Sequence, residues 1–184
     1  MSQFTNHTIE SAPAASKAVL EGAQKSLGFV PNLYAKLAES PTALNAYIAI
    51  GKMFEKSAFS PTEQQVVLLS ISVVNGCEFC VAAHSVIAKN IMGVDASIVD
   101  AIRERRALPD TRLDALATFA RTMVEERGWV TGAPLAAFLA AGFSQEQALD
   151  VVLGVTMKTL SNYANHLTDT EVNAEFAGET WSRS

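Results

Sequence analysis

Apolar residues recur along most of this chain at spacings of three and four, which is the period of an amphipathic helix. Side chains that cap helix starts precede these stretches, in two cases directly before a proline: Ser40-Pro41, Ser60-Pro61, Asp95, Asp110 and Ser144. Glycines stand where helices should end: Gly28, Gly93, Gly128 and Gly142. No segment alternates apolar and polar residues between hairpin turns, so the pattern predicts an all-α fold.

The same signals place nine helices, with errors of about two to four residues at each end. They are expected at 12–27, from about 31, and at 41–57, 61–74, 77–92, 96–106, 111–126, 133–141 and 145–167. The stretch Val66–Val74 is rich in β-branched residues and is the best candidate for a strand. It follows the Ser60-Pro61 start without a break, so a buried helix is predicted instead. The tail after Asp169 is expected to be loosely ordered or docked on a neighbouring subunit.

Composition narrows the class of protein. The length of 184 residues suits one domain spanning 1–184, and 49% hydrophobic with only 18% charged residues favours a homo-oligomer that hides surface in subunit contacts. The net charge of -5 and a basic cluster interrupted by Glu104 argue against a nucleic-acid partner. Neither a signal peptide nor an apolar stretch of membrane-spanning length is visible, so we expect no membrane partner and a cytoplasmic location.

The motif with chemical content follows the turn signal Asn75-Gly76. Cys77, Cys80 and His84 stand at i, i+3 and i+7, so they share one face of the helix that begins there. Unpaired N–H groups and the positive dipole end of a first helical turn stabilise a thiolate, and the pKa of such cysteines falls to roughly 3.5–7.5. A histidine one turn later can accept the thiol proton. The second sulfur can then capture a sulfenic acid as a disulfide.

Two other interpretations of the motif stay open. The cysteines can be small buried apolar residues beside a hydrogen-bonded histidine. Alternatively, Cys77, Cys80 and His84 can supply three zinc ligands, with water as the fourth. A thioredoxin-like site is disfavoured because no βαβ pattern surrounds the motif.

The chain resembles the alkylhydroperoxidase D and carboxymuconolactone decarboxylase superfamily, in its longer branch of roughly 180 residues. The resemblance lies mainly in 60–69 and in 75–85, which contains Cys-x-x-Cys-x-x-x-His, within a redox core of about 60–92. Residues 28–32 and 161–166 extend it over most of the chain. It implies an all-helical bundle, assembled as a trimer or hexamer with sites near subunit contacts.

The resemblance also implies roles for individual residues. Cys80 would attack the peroxide, Cys77 would resolve the intermediate, and His84 would sit in a proton relay. An external dithiol, carried by a lipoyl or thioredoxin-like protein, would reduce the disulfide again. The glutamate of the family's relay is replaced by Gln65, and the histidine that the namesake enzymes carry between the cysteines is replaced by Phe79.

Three further residues can support the site, and each also has a possible structural role. Gln65 can orient a hydrogen bond but cannot transfer a proton. Glu63 fits a capping box with Ser60, a structural task. His166 forms a polar stripe with Asn162 and Asn165 on the last helix, and this stripe is expected to line an ordinary hydrogen-bonded contact or the pocket.

The leading functional hypothesis is a thiol-dependent peroxidase or disulfide oxidoreductase that reduces hydrogen peroxide or small organic hydroperoxides. It needs no cofactor and no resident metal. One alternative is a decarboxylase-type enzyme acting on a small carboxylated ring, although such work needs positioned acid–base groups rather than a dithiol. Another is a non-enzymatic helical oligomer that senses redox state or holds zinc.

Overall fold

The computed structural model describes residues 3–183, and every regular element in that range is helical. The all-α prediction is therefore confirmed. The α-helices are α1 (Ala14–Leu27), α2 (Asn32–Leu37), α3 (Pro41–Phe54), α4 (Pro61–Val74), α5 (Glu78–Val86), α6 (Ala96–Arg103), α7 (Thr111–Glu125), α8 (Ala133–Ala140) and α9 (Gln145–Thr168). A π-helical turn, Ile87–Ile91, continues α5, and a 3₁₀ helix, Ala174–Glu179, lies near the C-terminus.

Local capping chemistry explains where the helices begin. Ser60 accepts a hydrogen bond from the Glu63 N–H, and the Glu63 carboxylate accepts one from the Ser60 N–H, which completes a capping box at α4. Ser144 and Gln147 form the same arrangement at α9. Asp95 and Asp110 cap α6 and α7 as predicted. Gly28 ends α1 in the left-handed region, with φ at 84°.

Helix α4 is the centre of the fold. It contacts α5, α6, α7 and α9, and its residues are buried on all sides rather than along one stripe. This all-round burial explains why its sequence lacks a clear amphipathic period. The strand alternative for Val66–Val74 is thereby excluded.

Two apolar clusters pack on either side of this centre. One joins α4, α6, α7 and α8 and contains a stack of three rings, with Phe138 4.2 Å from Phe119 and 4.7 Å from Phe143 between ring centroids. The other joins α1, α2, α3 and α5 and includes both cysteines. The dithiol therefore lies in the interior, with one side against this apolar cluster.

The C-terminal tail differs from the prediction, because it docks on its own chain. The Phe176 ring makes edge contacts with Phe29 and Phe79, at 5.5 Å and 5.9 Å between centroids. Glu179 binds Lys89 and Arg103. These partners are distant in sequence, so local patterns carry no signal for them. Within residues 3–183, no helix is long and apolar enough to cross a membrane.

Candidate dithiol site

The two cysteines occupy the start of α5. Cys77 is the N-cap residue and Cys80 lies in the first turn, with 1% and 2% of their surface exposed. Both are free thiols, and the sulfurs lie within hydrogen-bonding reach of each other. Gly76 adopts a φ of 68°, in the left-handed region that glycine tolerates, and so permits the sharp turn out of α4. The turn-then-helix arrangement predicted from Asn75-Gly76 is what positions the sulfurs.

Helix α9 supplies polar groups to the sulfurs from the opposite side. The Asn165 amide nitrogen lies 3.3 Å from the Cys80 sulfur and 3.6 Å from the Cys77 sulfur. The Ser161 hydroxyl lies 3.9 Å from the Cys80 sulfur. Asn165 and Ser161 are one helical turn apart and buried. The Asn165 amide donates to both sulfurs, and the Ser161 hydroxyl accepts from the neutral Cys80 thiol while donating to the Lys158 carbonyl oxygen. When Cys80 is ionised, the hydroxyl can turn to donate to the thiolate, whose charge would otherwise be unsolvated.

The environment shifts the pKa values of the two thiols in opposite directions. Burial raises the pKa of Cys80, but the hydrogen bond from Cys77, the Lys158 ammonium and the Ser161 hydroxyl outweigh it and lower that pKa to about 5. The pKa of Cys77 is raised far above its ordinary value, first by its hydrogen bond to Cys80 and then by burial. The surroundings therefore favour the thiolate form of Cys80 and the protonated form of Cys77.

His84 does not reach the sulfurs directly. Its Nδ1 lies 3.0 Å from the Gln65 side-chain oxygen and its Nε2 lies 3.0 Å from the Lys158 Nζ; among residues 3–183 it makes no hydrogen bond to either cysteine. Burial first, and then the Lys158 charge, lower the pKa of His84 well below its ordinary value. The imidazole is therefore neutral. Its Nε2 contacts Lys158 instead of the Cys80 sulfur, which was the expected partner.

The three supporting residues, Gln65, Glu63 and His166, lie in different parts of the structure. Gln65 faces His84, as the replacement of a relay residue implies. Glu63 is held by the capping box and by Arg112, in the structural role weighed from the sequence. His166 is exposed and lines a surface cavity together with Cys77.

Sequence reasoning missed Lys158, Ser161 and the role of Asn165. These three residues fall at i, i+3 and i+7 on α9, which is the spacing that was recognised in Cys77, Cys80 and His84. A lysine within that stripe was the available signal. Lysine is so rarely buried that its presence on an interior face is not expected from local pattern.

Cys77, although only 1% exposed, borders a cavity at the surface. A surface cavity of about 290 Å³ is bounded by Cys77, Phe79, Asn165, His166 and neighbouring residues, whereas Cys80 does not line it. Within the described range, no cluster of three or more His, Cys, Asp or Glu residues is placed to hold a metal ion. The zinc interpretation also meets an obstacle at His84, because both ring nitrogens are engaged, one by an ammonium.

Fold and site together define a class: an all-helical protein with a buried Cys-x-x-Cys pair at a helix start. Residues 38–122, which include the whole motif, match the model of the Carboxymuconolactone decarboxylase family. This match covers just under half of the chain and confirms the resemblance seen in the sequence. A search among curated proteins found no significant match.

Solved structures share the fold over nearly the whole chain. An uncharacterised peroxidase-related protein from Ralstonia eutropha JMP134, described as an alkylhydroperoxidase AhpD core, superposes with a TM-score of 0.83 and 23% identity, covering 95% of this chain and 94% of that one. A peroxidase-related protein from Silicibacter sp. TM1040 gives 0.81 and 23%, covering 96% and 93%. The debrominase Bmp8, as a C82A variant with 2,3,4-tribromopyrrole, gives 0.77 and 19%, covering 97% and 96%. At these identities the likeness establishes the fold alone.

Proposed function

We propose that this protein is a thiol-dependent peroxidase or disulfide oxidoreductase that reduces hydrogen peroxide or a small organic hydroperoxide. The observation that carries the proposal is the unequal pair of sulfurs. Cys80, with a pKa lowered to about 5, has the property of a nucleophile, and the protonated Cys77 has that of a resolving thiol. The match to the family and the fold shared with peroxidase-related proteins support it.

The first step is a displacement on oxygen. The Cys80 thiolate attacks the terminal oxygen of R–O–O–H, an S–O bond forms, and the O–O bond breaks. The departing alkoxide takes up the proton that Cys80 had released, so the products are a Cys80 sulfenic acid and an alcohol, or water from hydrogen peroxide. Sulfur is oxidised by two electrons and the peroxide is reduced by two.

The second step uses the neighbouring thiol. Cys77 attacks the Cys80 sulfenic sulfur, the S–O bond breaks, and water leaves with the Cys77 proton. An external dithiol, of the lipoyl or thioredoxin-like type, then reduces the disulfide and becomes oxidised itself. Because Cys77 lines the surface cavity and Cys80 does not, the incoming thiolate attacks the Cys77 sulfur and Cys80 leaves as the stabilised thiolate.

Single-turnover mixing tests the proposal. Reduced protein is mixed with limiting hydrogen peroxide, and thiol loss is followed in time and located by peptide mass mapping. We expect two thiols to be lost for each peroxide consumed, with a Cys77–Cys80 disulfide as product. At pH 7 the rate constant should exceed that of the same chain unfolded in denaturant by at least about tenfold, because an ordinary cysteine is only a few per cent thiolate there and the folded site stabilises the thiolate.

The matched control is the Cys77→Ser/Cys80→Ser variant, whose side chains are of similar size. It should consume peroxide no faster than buffer. Thiols that survive excess oxidant, or a double variant with unchanged peroxide consumption, would refute the proposal.

A second candidate is reductive dehalogenation, suggested by the fold shared with a debrominase bound to 2,3,4-tribromopyrrole. It uses the same pair: two thiols become a disulfide while an aryl C–Br bond is replaced by C–H and bromide is released. Incubating reduced protein with 2,3,4-tribromopyrrole and measuring bromide separates the two activities. Release of one bromide per disulfide, without rapid peroxide reduction, would favour dehalogenation.

The remaining alternatives have their own outcomes in these experiments. A decarboxylase acting on a carboxylated ring would keep its activity in the double serine variant, because its chemistry does not use sulfur. A zinc-holding oligomer would carry stoichiometric metal after purification and its thiols would resist oxidation.

A further inference from the structure

We propose that Lys158 is the counter-ion of the Cys80 thiolate, so that this chain activates its nucleophile by a buried charge rather than by a proton relay through His84. The inference rests on the proposed function for its chemical purpose, but its geometry stands apart from any substrate. Lys158 is a positioning residue in this sense: it stabilises the charged sulfur and does not itself react.

The first support is that Lys158 is buried without a carboxylate. Its exposed fraction is 0%, and none of the salt bridges among residues 3–183 involves it. A buried ammonium is strongly disfavoured unless an anion or several acceptors compensate it. The anion available on this face is the Cys80 sulfur, because Lys158 shares its face of α9 with Ser161 and Asn165, whose side chains lie 3.9 Å and 3.3 Å from that sulfur. The positive charge of Lys158 lowers the pKa of Cys80. The thiolate and the ammonium therefore form a compensated pair.

The second support is the direction of the hydrogen bonds at His84. An ammonium has only protons to donate, so Nε2 of His84 must be the acceptor and Nδ1 must carry the ring proton. Nδ1 then donates to the Gln65 side-chain oxygen. With the lone pair of Nε2 occupied by Lys158, His84 has no free nitrogen with which to take the proton of Cys80.

The third support is the identity of residue 65. A glutamate facing His84 would bring a negative charge into the cluster and partly neutralise Lys158. Gln65 makes the same hydrogen bond without charge, and so leaves the full positive charge of Lys158 available to the thiolate. The replacement noted in the sequence is therefore consistent with a change in how the thiol is activated.

Among residues 3–183, no other charged side chain forms a hydrogen bond with Lys158, His84 or either sulfur. From α5 the titratable neighbours are Cys77 and the neutral His84. From α3 comes Tyr47, whose pKa is raised well above its ordinary value by burial, by Tyr34 and by the two cysteines, so it stays a neutral phenol. The charged groups of the packed elements pair elsewhere: Glu63 with Arg112, and Glu179 with Lys89 and Arg103.

The test measures where Cys80 titrates in the reduced protein. Thiolate absorbance in the ultraviolet and the rate of alkylation by iodoacetamide are each recorded against pH, in a Cys77→Ser background so that one sulfur reports. Lys158→Met keeps a similar volume and removes the charge. We expect its midpoint to rise by at least about two pH units, toward the ordinary cysteine value near 8.5.

Two further variants keep the result interpretable. Lys36→Met removes another buried lysine, which donates to the Phe4 carbonyl oxygen rather than to a group of the dithiol site, and should leave the midpoint unchanged. Gln65→Glu is nearly isosteric, so it tests the charge even if Lys158→Met fails to fold. It should raise the midpoint by about one unit, because added negative charge opposes the thiolate.

An unchanged midpoint in folded Lys158→Met, or a lowered or unchanged midpoint in Gln65→Glu, would overturn the inference. Neither measurement requires turnover. If the midpoints shift as expected while the wild-type protein does not reduce peroxide, the counter-ion role stands and the proposed function fails.

Discussion

The two faces of helix α9 reverse the usual arrangement of a surface helix. The face turned to the interior carries a fully buried polar stripe of Lys158, Ser161, Asn162 and Asn165. The face turned outward carries large apolar side chains that are 44% to 72% exposed: Leu149, Val152, Tyr163 and Leu167. Each face violates the rule that apolar residues lie inside and polar ones outside.

The contrast shows that a different requirement determines the residue types on each face. Burying polar groups is tolerated where hydrogen bonds satisfy them, and the stripe achieves this in part: Lys158 contacts His84, Asn162 accepts from Asn75, and Asn165 donates to the sulfurs. Among the described residues, the Asn162 Nδ2 and the Asn165 Oδ1 have no hydrogen-bond partner. Exposing apolar groups is tolerated where a partner covers them. The inner face is therefore explained by thiol chemistry, and the outer face favours the self-association expected from composition, which stays a prediction.

The largest expected effect comes from adding a side chain at Gly154, where the inner face of α9 packs closely against α3 and α4. A Cβ at Gly154 would lie 2.9 Å from Val67 Cγ1 and 3.0 Å from Phe54 Cε2. Gly154→Leu should lower the free energy of unfolding by about 3 kcal/mol, because both neighbours belong to the packed core. Denaturant titration measures it.

Gly22→Leu is the matched control, since a Cβ on this helical glycine meets nothing within 4 Å. It should change stability by no more than about 1 kcal/mol, and in the stabilising direction, because leucine favours the helix. Equal losses in both variants would show that the tight approach at Gly154 is not what limits packing.

A smaller effect is expected from removing one donor of the inner stripe. Asn165→Leu deletes the amide that lies 3.3 Å from the Cys80 sulfur. A hydrogen bond to a charged group contributes about 1.5–3 kcal/mol, so the Cys80 pKa should rise from about 5 by roughly one to two units. The variant has fewer donors to stabilise the thiolate. As the pH is lowered, its alkylation should therefore begin to slow at a higher pH than that of the wild type.

Asn162→Leu separates chemistry from packing in this experiment. Asn162 accepts a hydrogen bond from Asn75 at 2.9 Å and is not bonded to a sulfur. It should cost stability without moving the pH dependence of alkylation. A midpoint that shifts equally in both variants would show that general disruption, rather than the amide at residue 165, sets the thiol pKa.

The smallest effect on folding is expected on the outer face. Leu167→Glu places a charge on a side chain that is 72% exposed, so stability of the separate chain should change by no more than about 0.5 kcal/mol. The same change should dissociate an oligomer assembled through this face, as sedimentation would record. Leu27→Glu on α1 is the control and should leave assembly intact. A wild-type protein that sediments as a single chain would contradict the predicted association.

Local signals explain which features the sequence could reveal. The start of α4 was predicted to the residue because the signals for it, Ser60, Pro61 and Glu63, all lie within four residues of one another. The end of α5 was placed too late, because the π-helical turn Ile87–Ile91 keeps a helical pattern while changing the geometry.

Features that depend on distant partners escaped prediction. The docking of the tail depends on Phe176 meeting Phe79 and Phe29, which are far away in sequence. Similarly, the burial of Lys158 depends on α9 lying against α5. The stripe that contains Lys158 marks a shared helix face, but it does not show which element buries that face. The thiol pair was recognisable because its geometry is contained within one helix.

Trapping the first oxidised sulfur most directly tests the claim that Cys80 is the nucleophile. In Cys77→Ser the sulfenic acid cannot be resolved, so one equivalent of hydrogen peroxide followed by a sulfenic-acid-selective 1,3-diketone should leave an adduct on Cys80, located by peptide mass mapping. Cys80→Ser, treated identically, should leave Cys77 as an unmodified thiol. An unmodified Cys80 in the first variant, or an adduct on Cys77 formed as fast in the second, would contradict the assignment.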